Sequence, residues 1–520
     1  MGKILKTKGL TTLSELLLLI VGLVVICGAA YFFAPNITQK ANSEKATKVL
    51  DKNNTVRIGV NTWTGFAPLA KLTNGSKKPT KDCDLYRKYG IMADISVIDV
   101  VKDSRNKFIN GELDVVYCTV DALPTDMGSM SGMAQANARL FGQVDWSRGG
   151  DLIVARQGIT SIADLKGKRI SYGEGTASMS FLIKVLELNN MTLSDIIPVP
   201  VLDGIVSAQQ FKTGSVDAAV VWTPDDLDCL ASQKGSKVLI STKSATNIIP
   251  DGLVSTDRYI TEHPEILTKL LQAWLETNAE LNTNPAARQQ AAEAFVKMFE
   301  GIDISFAENG LRNVYLTTYG DNLNFFGLNQ NYNGVTGEEL YTKMSVIYSN
   351  LKSLTGIPLT NNPLPWRTIS NTSIIKNIKM DATGINSAEA LATYTAPTDA
   401  IKTKDAVSNK KVSINFETNS YSLDDDDKYV IEKEFIPIAK SFSTRIRVEG
   451  NTDGVGNPQS NKILSYNRAK SVVKYMVDEY GFDSKRFIIV GNGSDKAIAD
   501  GVYTASEKYR VTDFQLITEE

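Results

Sequence analysis

The sequence predicts an α/β chain in three parts: one N-terminal transmembrane helix, a large two-lobed α/β domain, and a small α+β domain at the C-terminus. Three observations point there. An uncharged apolar run lies near the start, two passages of the middle region echo one another, and the last hundred residues alternate half-buried strands with amphipathic helices. A chain of 520 residues has room for about three structural units. Its hydrophobic content of 42% and charged content of 22% are ordinary for globular chains, so large cores can form. The formal charge is −2, with acids and bases mixed along the chain. Nucleic acid is excluded as a partner, because it needs a concentrated cationic face.

Residues 1–35 hold the membrane element. Leu16 to Ala34 read LLLLIVGLVVICGAAYFFA without a charge, roughly 19 residues or about 28 Å of helix, close to the hydrocarbon thickness. Lys3, Lys6 and Lys8 precede it, which keeps the N-terminus cytoplasmic. Tyr31, Phe32 and Phe33 mark the far interface. The expectation is a single-pass inner-membrane protein with its bulk in the periplasm. A cleaved signal peptide is the competing reading; the run is long for one, and no small-x-small site follows. Glu15 stands one residue before the run. It is either a solvated interfacial carboxylate or an intramembrane, functional one.

Four cysteines, Cys27, Cys83, Cys118 and Cys229, form no C-x-x-C pair, and His263 is the single histidine. No metal site is expected from that set. Cys27 lies in the apolar run, and the other three are expected as buried free thiols.

After a polar tether (36–54), VRIGVNTW (Val56–Trp63) reads as a buried strand running into a glycine loop, Thr64-Gly65-Phe66-Ala67-Pro68. Strand-like and helix-like segments then alternate, a pattern that predicts a mostly parallel sheet. Phe108-Ile-Asn-Gly111-Glu-Leu-Asp114 leads into VVYCTVDALP, and Phe211-Lys-Thr-Gly214-Ser-Val-Asp217 leads into AAVVWTPDD. Each is a helix end, a stopping glycine, an aspartate and a buried strand that empties into a polar loop. Two such lobes set those loops across a cleft from one another. Helical patterns from about Thr261 to Asn350 are expected to complete the second lobe. The domain runs over 55–378, and 379–410, short of large apolar residues, reads as a linker.

The phrases TWTGFAPL, INGELDVVYCTVDALP, ITSIADLKGKRISYGEGTASMSFLIKVLELNNM and GSVDAAVVWTPD occur in that order. Together they resemble the periplasmic substrate-binding proteins of the nitrate, sulfonate and thiamine-precursor type. The resemblance implies two lobes that close by hinge motion on a small ligand. The loops themselves supply cleft candidates. Gly173 to Ser178 enters a helix, so Gly175, Thr176 and Ser178 offer N–H and hydroxyl donors to an anion, although Glu174 competes for them. Trp63, beside Gly65, and Trp222 offer aromatic walls or pack the lobes together. Asp121 and Asp251 suit a cationic or hydroxylated group. Ligand class stays open.

In 411–520, Val412, Ile414 and Phe416 alternate with polar neighbours, as do Ile446 and Val448, which predicts half-buried strands. One helix is expected over about Asp424 to Ser441, and a second carries Leu464, Ala469, Val472, Val473 and Met476 on one face. Phe487 to Val490 reads as a third strand. Thr452-Asp453, Gly456, Asn461, Leu464-Ser465 and Arg468-Ala469 are similar to the signature of OmpA-like peptidoglycan-binding domains. The resemblance implies that Asp453 takes the ammonium of a diaminopimelate stem and Arg468 its carboxylate, with Asn461 and Thr452 nearby. An acid and an arginine suit such a zwitterion. Asn451 replaces the family's usual histidine, and the late N-R-R is reduced to Lys508-Tyr509-Arg510, with Arg510 keeping its place beside Val511.

A chain fixed to membrane and wall is similar in layout to the B-type, MotB-like and ExbD-like subunits of ion-driven motors. That implies a multi-span MotA/ExbB-like partner, a homodimer, and Glu15 as the ion carrier, since burial favours a neutral carboxyl. The alternative is a tethered solute receptor serving an ABC-type transporter or sensor. No nucleophile elbow, metal spacing or Walker-type loop is present, so neither an enzyme nor a cofactor is expected.

Overall fold

The computed structural model describes residues 54–127, 132–352, 359–360, 363–414, 416–417 and 419–517. The apolar run, Glu15 and Cys27 lie outside the described residues. Among the described residues no helix is long and apolar enough to cross a membrane.

Lobe one begins with β1 (Thr55–Val60), β2 (Met92–Val97), β3 (Val115–Thr119) and β4 (Ala138–Ser147). Val56, Ile58 and Val60 are fully buried, which is what the apolar run in VRIGV requires. The chain then crosses to lobe two and lays down β5 (Asp151–Ala155), β6 (Arg169–Gly173), β7 (Ile197–Val201), β8 (Ala218–Trp222) and β9 (Lys237–Ser241). A second crossing returns it to lobe one for β10 (Pro250–Thr256) and β11 (Val314–Leu316). The sheet orders are β11-β4-β10-β3-β1-β2 and β7-β6-β8-β5-β9.

Two expectations for the lobes need correction. The sheets are mixed rather than mostly parallel. β1 pairs parallel with β3, and β6 with β7 and β8. β10, however, runs antiparallel to β3 and β4, and β5 antiparallel to β8 and β9. Helix-linked neighbours stay parallel, whereas strands at the two crossings enter their sheets from the other end. The helices after Thr261 also complete lobe one, not lobe two. On Pro264–Thr283, Asn278 Nδ2 donates to Val144 O and Thr317 O at 2.8 Å each. A Cβ on Gly142 of β4 would stand 2.6 Å from Leu271. Once β10 has carried the chain back, the nearest open sheet face belongs to lobe one. The helix Gly337–Ser349 reaches across instead: Tyr348 Oη lies 2.6 Å from Ser180 Oγ, and Lys343 pairs with Glu187 at 3.0 Å.

Hydrogen bonds fasten the crossings together. Ser147 N–H donates to Ile249 O at 2.9 Å, and Thr242 N–H to Asp151 O at 2.8 Å. Thr242 Oγ1 accepts from Gly149 N–H at 2.8 Å and lies 2.9 Å from Ser147 Oγ.

The C-terminal sheet has the order β12 (Ser408–Val412), β15 (Thr512–Ile517), β13 (Arg445–Asn451), β14 (Phe487–Gly493). β13 and β14 are parallel and the other pairs antiparallel. The strand expected through Val412, Ile414 and Phe416 starts earlier, at Ser408, and stops at Val412, so Ser408–Lys410 belong to the sheet. The single helix expected over 424–441 is two, Asp425–Glu434 and Ile436–Ser441. Pro437, which lacks an N–H, explains the break. Gly450 and Gly491 are paired across β13 and β14. A Cβ on either would stand 2.1 Å from Ser465 O or 2.5 Å from Lys462 O, so the helix Pro458–Tyr480 lies directly on two glycines.

From Val56 onward the chain forms one compact unit. The tract 379–410 is pinned along it. Glu389 takes Arg148 Nη1 and Nη2 at 3.1 and 2.8 Å, and Tyr394 donates to Asp483 from its N–H and to Ser443 O from its hydroxyl. Asn247, between β9 and β10, is a node. It donates to Ser441 O and Lys440 O and accepts from Arg148 Nη2. The C-terminal domain therefore rests on the segments that join the lobes, with a cavity of about 410 Å³ along that seam. Cys83, Cys118 and Cys229 are buried free thiols, as expected.

Candidate functional site

The strands of lobe one end in carboxylates. Asp121 follows β3, Asp145 lies in the buried run near the end of β4, and Asp251 opens β10; Asp145 and Asp251 are direct partners across the ladder. Asp151 opens β5, after the first crossing. Asp121 and Asp145 are fully buried, and Asp251 and Asp151 are 5% and 7% exposed. Burial pushes Asp121 and Asp145 up to about 7 and Asp151 up to about 6. Asp251 is driven well up by burial and then by Asp145, with which it shares a hydrogen bond. Two carboxylates so placed hold a proton between them, because like charges cannot both ionise there.

Trp63 Nε1 donates to Asp145 Oδ1 at 3.3 Å. The loop at Gly65 has to be glycine: a Cβ there would lie 1.9 Å from Asp145 Oδ2. The far edge of the Trp63 ring lies over Gly150 in the first crossing, where a Cβ would meet it at 2.3 Å. Trp63 therefore touches the Asp145 carboxylate with its indole edge and packs on the first crossing. Trp222 is placed differently. It pairs with Asp151 in the ladder, and its indole lies against Gly204 at the start of the helix Gly204–Lys212.

The helix start at Gly175, Thr176 and Ser178 is largely self-satisfied. Glu174 N–H goes to Val201 O, Gly175 N–H to Met179 Sδ, and Ser178 N–H to Thr176 Oγ1. Gly175 O accepts from Thr125 Oγ1 at 2.9 Å, so the two lobes touch there. The Ser178 hydroxyl is the exception: it is fully buried and has no hydrogen-bond partner.

In the C-terminal domain the second cluster forms. Arg468 donates from Nε to Ser420 O at 3.0 Å and from Nη2 to Glu417 O at 3.1 Å, with its guanidinium 5.0 Å over the Phe416 ring. Burial, then the neighbouring Arg510, lowers its pKa. Asp453 lies 3.6 Å from Arg510 Nε and accepts from Val455 N–H and Ser506 N–H. Asp453 and Arg468 share a field without pairing directly. Asn461 Nδ2 holds Val455 O at 2.9 Å and so shapes the Asp453 loop. Thr452 is buried, its N–H on Gly493 O. Asn451 points to Asp513 and Val511 O rather than outward.

Two family models match this chain. Residues 415–510 match the OmpA family, and residues 150–288 match the NMT1/THI5 like family. A binding protein of Brucella abortus, so described, is 24% identical over 229 residues, covering 44% of this chain and 69% of that one. Outer membrane protein Omp38 of Acinetobacter baumannii is 34% identical over 92 residues, 18% of this chain and 26% of its own length. Among solved structures, the periplasmic aliphatic sulphonate binding protein SsuA from Escherichia coli aligns with a TM-score of 0.47 at 16% identity, over 61% of this chain and 97% of that one. The C-terminal domain is thus OmpA-like, which implies peptidoglycan binding, and the two-lobed domain is of a kind that implies a small ligand.

Sequence reasoning missed Asp145 and Asp151. Both stand in FGQVDWSRGGDLIV. The signal was there: a carboxylate inside a strand otherwise buried on both faces has no structural reason to be acidic.

Proposed function

We propose that this chain is a wall-anchored receptor: its C-terminal domain grips peptidoglycan, and its two-lobed domain takes up a small ligand without catalysing a reaction. One observation carries the wall-binding part. Asp453 stands beside Arg510 and within the field of Arg468, whose guanidinium is fixed by two carbonyls and a ring. A carboxylate beside guanidiniums complements a stem that presents one ammonium and one carboxylate. Co-sedimentation with purified sacculi tests it. Asp453→Ala and Arg468→Ala should each weaken binding by about tenfold or more. Undiminished sedimentation of both variants would overturn it.

The N-terminal sequence favours a second, finer reading: an inner-membrane, single-pass, MotB-like motor subunit working as a homodimer with a MotA/ExbB-like partner. Its support is Glu15 ahead of the run Leu16–Ala34. Glu15→Gln should abolish ion-driven activity while leaving membrane insertion intact; unchanged activity sinks it.

A further inference from the structure

We infer that the interlobe cleft is a site for a small organic cation carrying N–H donors, such as an amine, amidine or guanidine, held by Asp121, Asp145 and Asp251 against the Trp63 ring. The inference rests on the receptor reading and names its ligand class.

The case begins with how this chain treats its other buried or half-buried aspartates. Asp114 receives Arg57 through its backbone N–H and guanidinium. Asp126 is paired with Arg105 at 2.8 Å. Asp321 takes Tyr315 Oη, Thr318 N–H and Glu389 N–H. A buried structural carboxylate is given donors, as the desolvation of an ionised group requires. The cleft departs from that rule. Both oxygens of Asp121, fully buried, and Oδ2 of Asp145 have no hydrogen-bond partner in normal geometry: Asp121 has only the Ser180 and Thr119 hydroxyls and its own N–H close by, and Asp145 has the proton it shares with Asp251. Among the described residues, none of Asp121, Asp145, Asp151 and Asp251 forms an ion pair. Asp151 leans on Ser147 Oγ at 2.7 Å, so the unmet acceptors belong to lobe one.

The surroundings do not neutralise them. Beside Asp121 and Asp251 stand the Arg105–Asp126 pair, the hydroxyls of Ser180, Thr119, Tyr117 and Tyr348, the Cys118 thiol and the Lys184 amine. Arg105 is committed to Asp126. Lys184, pushed down to about 7 by burial and by Lys343, leans toward Glu187 at 3.9 Å. A cation arriving from solvent is what the empty acceptors lack.

Chemistry narrows the class. Among the described residues no three carboxylates converge closely enough to hold a metal ion, which favours separated N–H donors over a point charge. The indole of Trp63 hydrogen-bonds Asp145 from its edge, and an aromatic face beside carboxylates suits an organic cation. An anion meets four carboxylates, and the unpartnered Ser178 hydroxyl at the helix start can accept from a cation's N–H as well as donate. Closure follows from the same charges. With the lobes touching at Thr125 and Gly175, the carboxylates must be either protonated or matched by a cation, so ligand and protons compete for one site.

Calorimetric titration of the full chain tests this with putrescine, agmatine, ethanesulfonate and Ca²⁺ as probes. Putrescine or agmatine should bind about tenfold or more tightly at about pH 8 than at about pH 5.5, because the acceptors must be ionised. Asp121→Asn and Asp251→Asn should each weaken that binding by about tenfold. If a variant fails to fold, the pH dependence of the parent carries the test alone. Binding of ethanesulfonate in preference to the amines, or Ca²⁺ binding tighter than theirs, overturns the cation assignment and leaves the receptor reading standing. Silence from every probe overturns both for the cleft, and sacculus binding by the same preparation then shows whether the wall anchor survives.

Discussion

The cleft and the C-terminal cradle are charged sites built on opposite rules. In the cradle each charge is already tethered: Asp453 by two backbone N–H groups and Arg510, Arg468 by two carbonyls and Phe416. The site is open, and its charges are held in place by the fold itself. In the cleft the aspartates are shut between lobes, and they meet hydroxyls or each other rather than a cation. The difference teaches that aspartate fastens a fold when donors surround it and waits for a partner when they do not. A cradle suits permanent attachment; a cleft with unmet charge suits a ligand that comes and goes.

Substitutions can break or sharpen that contrast. Gly450→Val should act most strongly, because even a Cβ meets Ser465 O at 2.1 Å. We expect a loss above about 4 kcal/mol in the C-terminal domain, seen as lost sacculus binding with putrescine binding kept. Arg105→Met strands Asp126 in the interior and should cost about 3–5 kcal/mol in chemical denaturation. Asp121→Asn should do the reverse, stabilising the ligand-free chain by about 1–3 kcal/mol near neutral pH, because the displaced charge had no partner.

The pH dependence follows with a definite sign. Burial pushes Asp121, Asp145 and Asp151 up to about 7, about 7 and about 6, above the ordinary aspartate value of 3.8. The folded state therefore holds more protons than the unfolded state between about pH 4 and 7. Their stabilising share is complete below about pH 4 and is lost as pH rises through about 6–7. Melting temperature without ligand should fall across that window, and Asp121→Asn should flatten the fall. The smallest effect belongs to Asn247→Ala, about 1 kcal/mol, read as faster proteolysis of the tract 379–410.

Much of this was legible in the sequence, and the gaps have physical causes. The paired phrases at Phe108 and Phe211 revealed two lobes, because a stopping glycine before a buried strand is a local signal. Asp453 and Arg468 were singled out through the resemblance of their motif to OmpA-like domains. The pairing of Asp145 with Asp251 was not, since it depends on β10 lying beside β4, more than a hundred residues away in sequence. The destination of the helices after Thr261 was hidden for the same reason. Asn247 gave no signal, because a node between two crossings and a third element exists only once all three have packed. The linker composition of 379–410 was read correctly as poor in apolar residues, yet hydrogen bonds and the Arg148–Glu389 pair hold it down.

The most direct measurement is the number of protons exchanged when putrescine binds the intact chain at about pH 6.5, obtained by titration in two buffers of different ionisation enthalpy. Carboxylates that hold protons until a cation displaces them predict net release to the buffer. Binding with no proton exchange, or with uptake, would contradict a cleft that waits for positive charge.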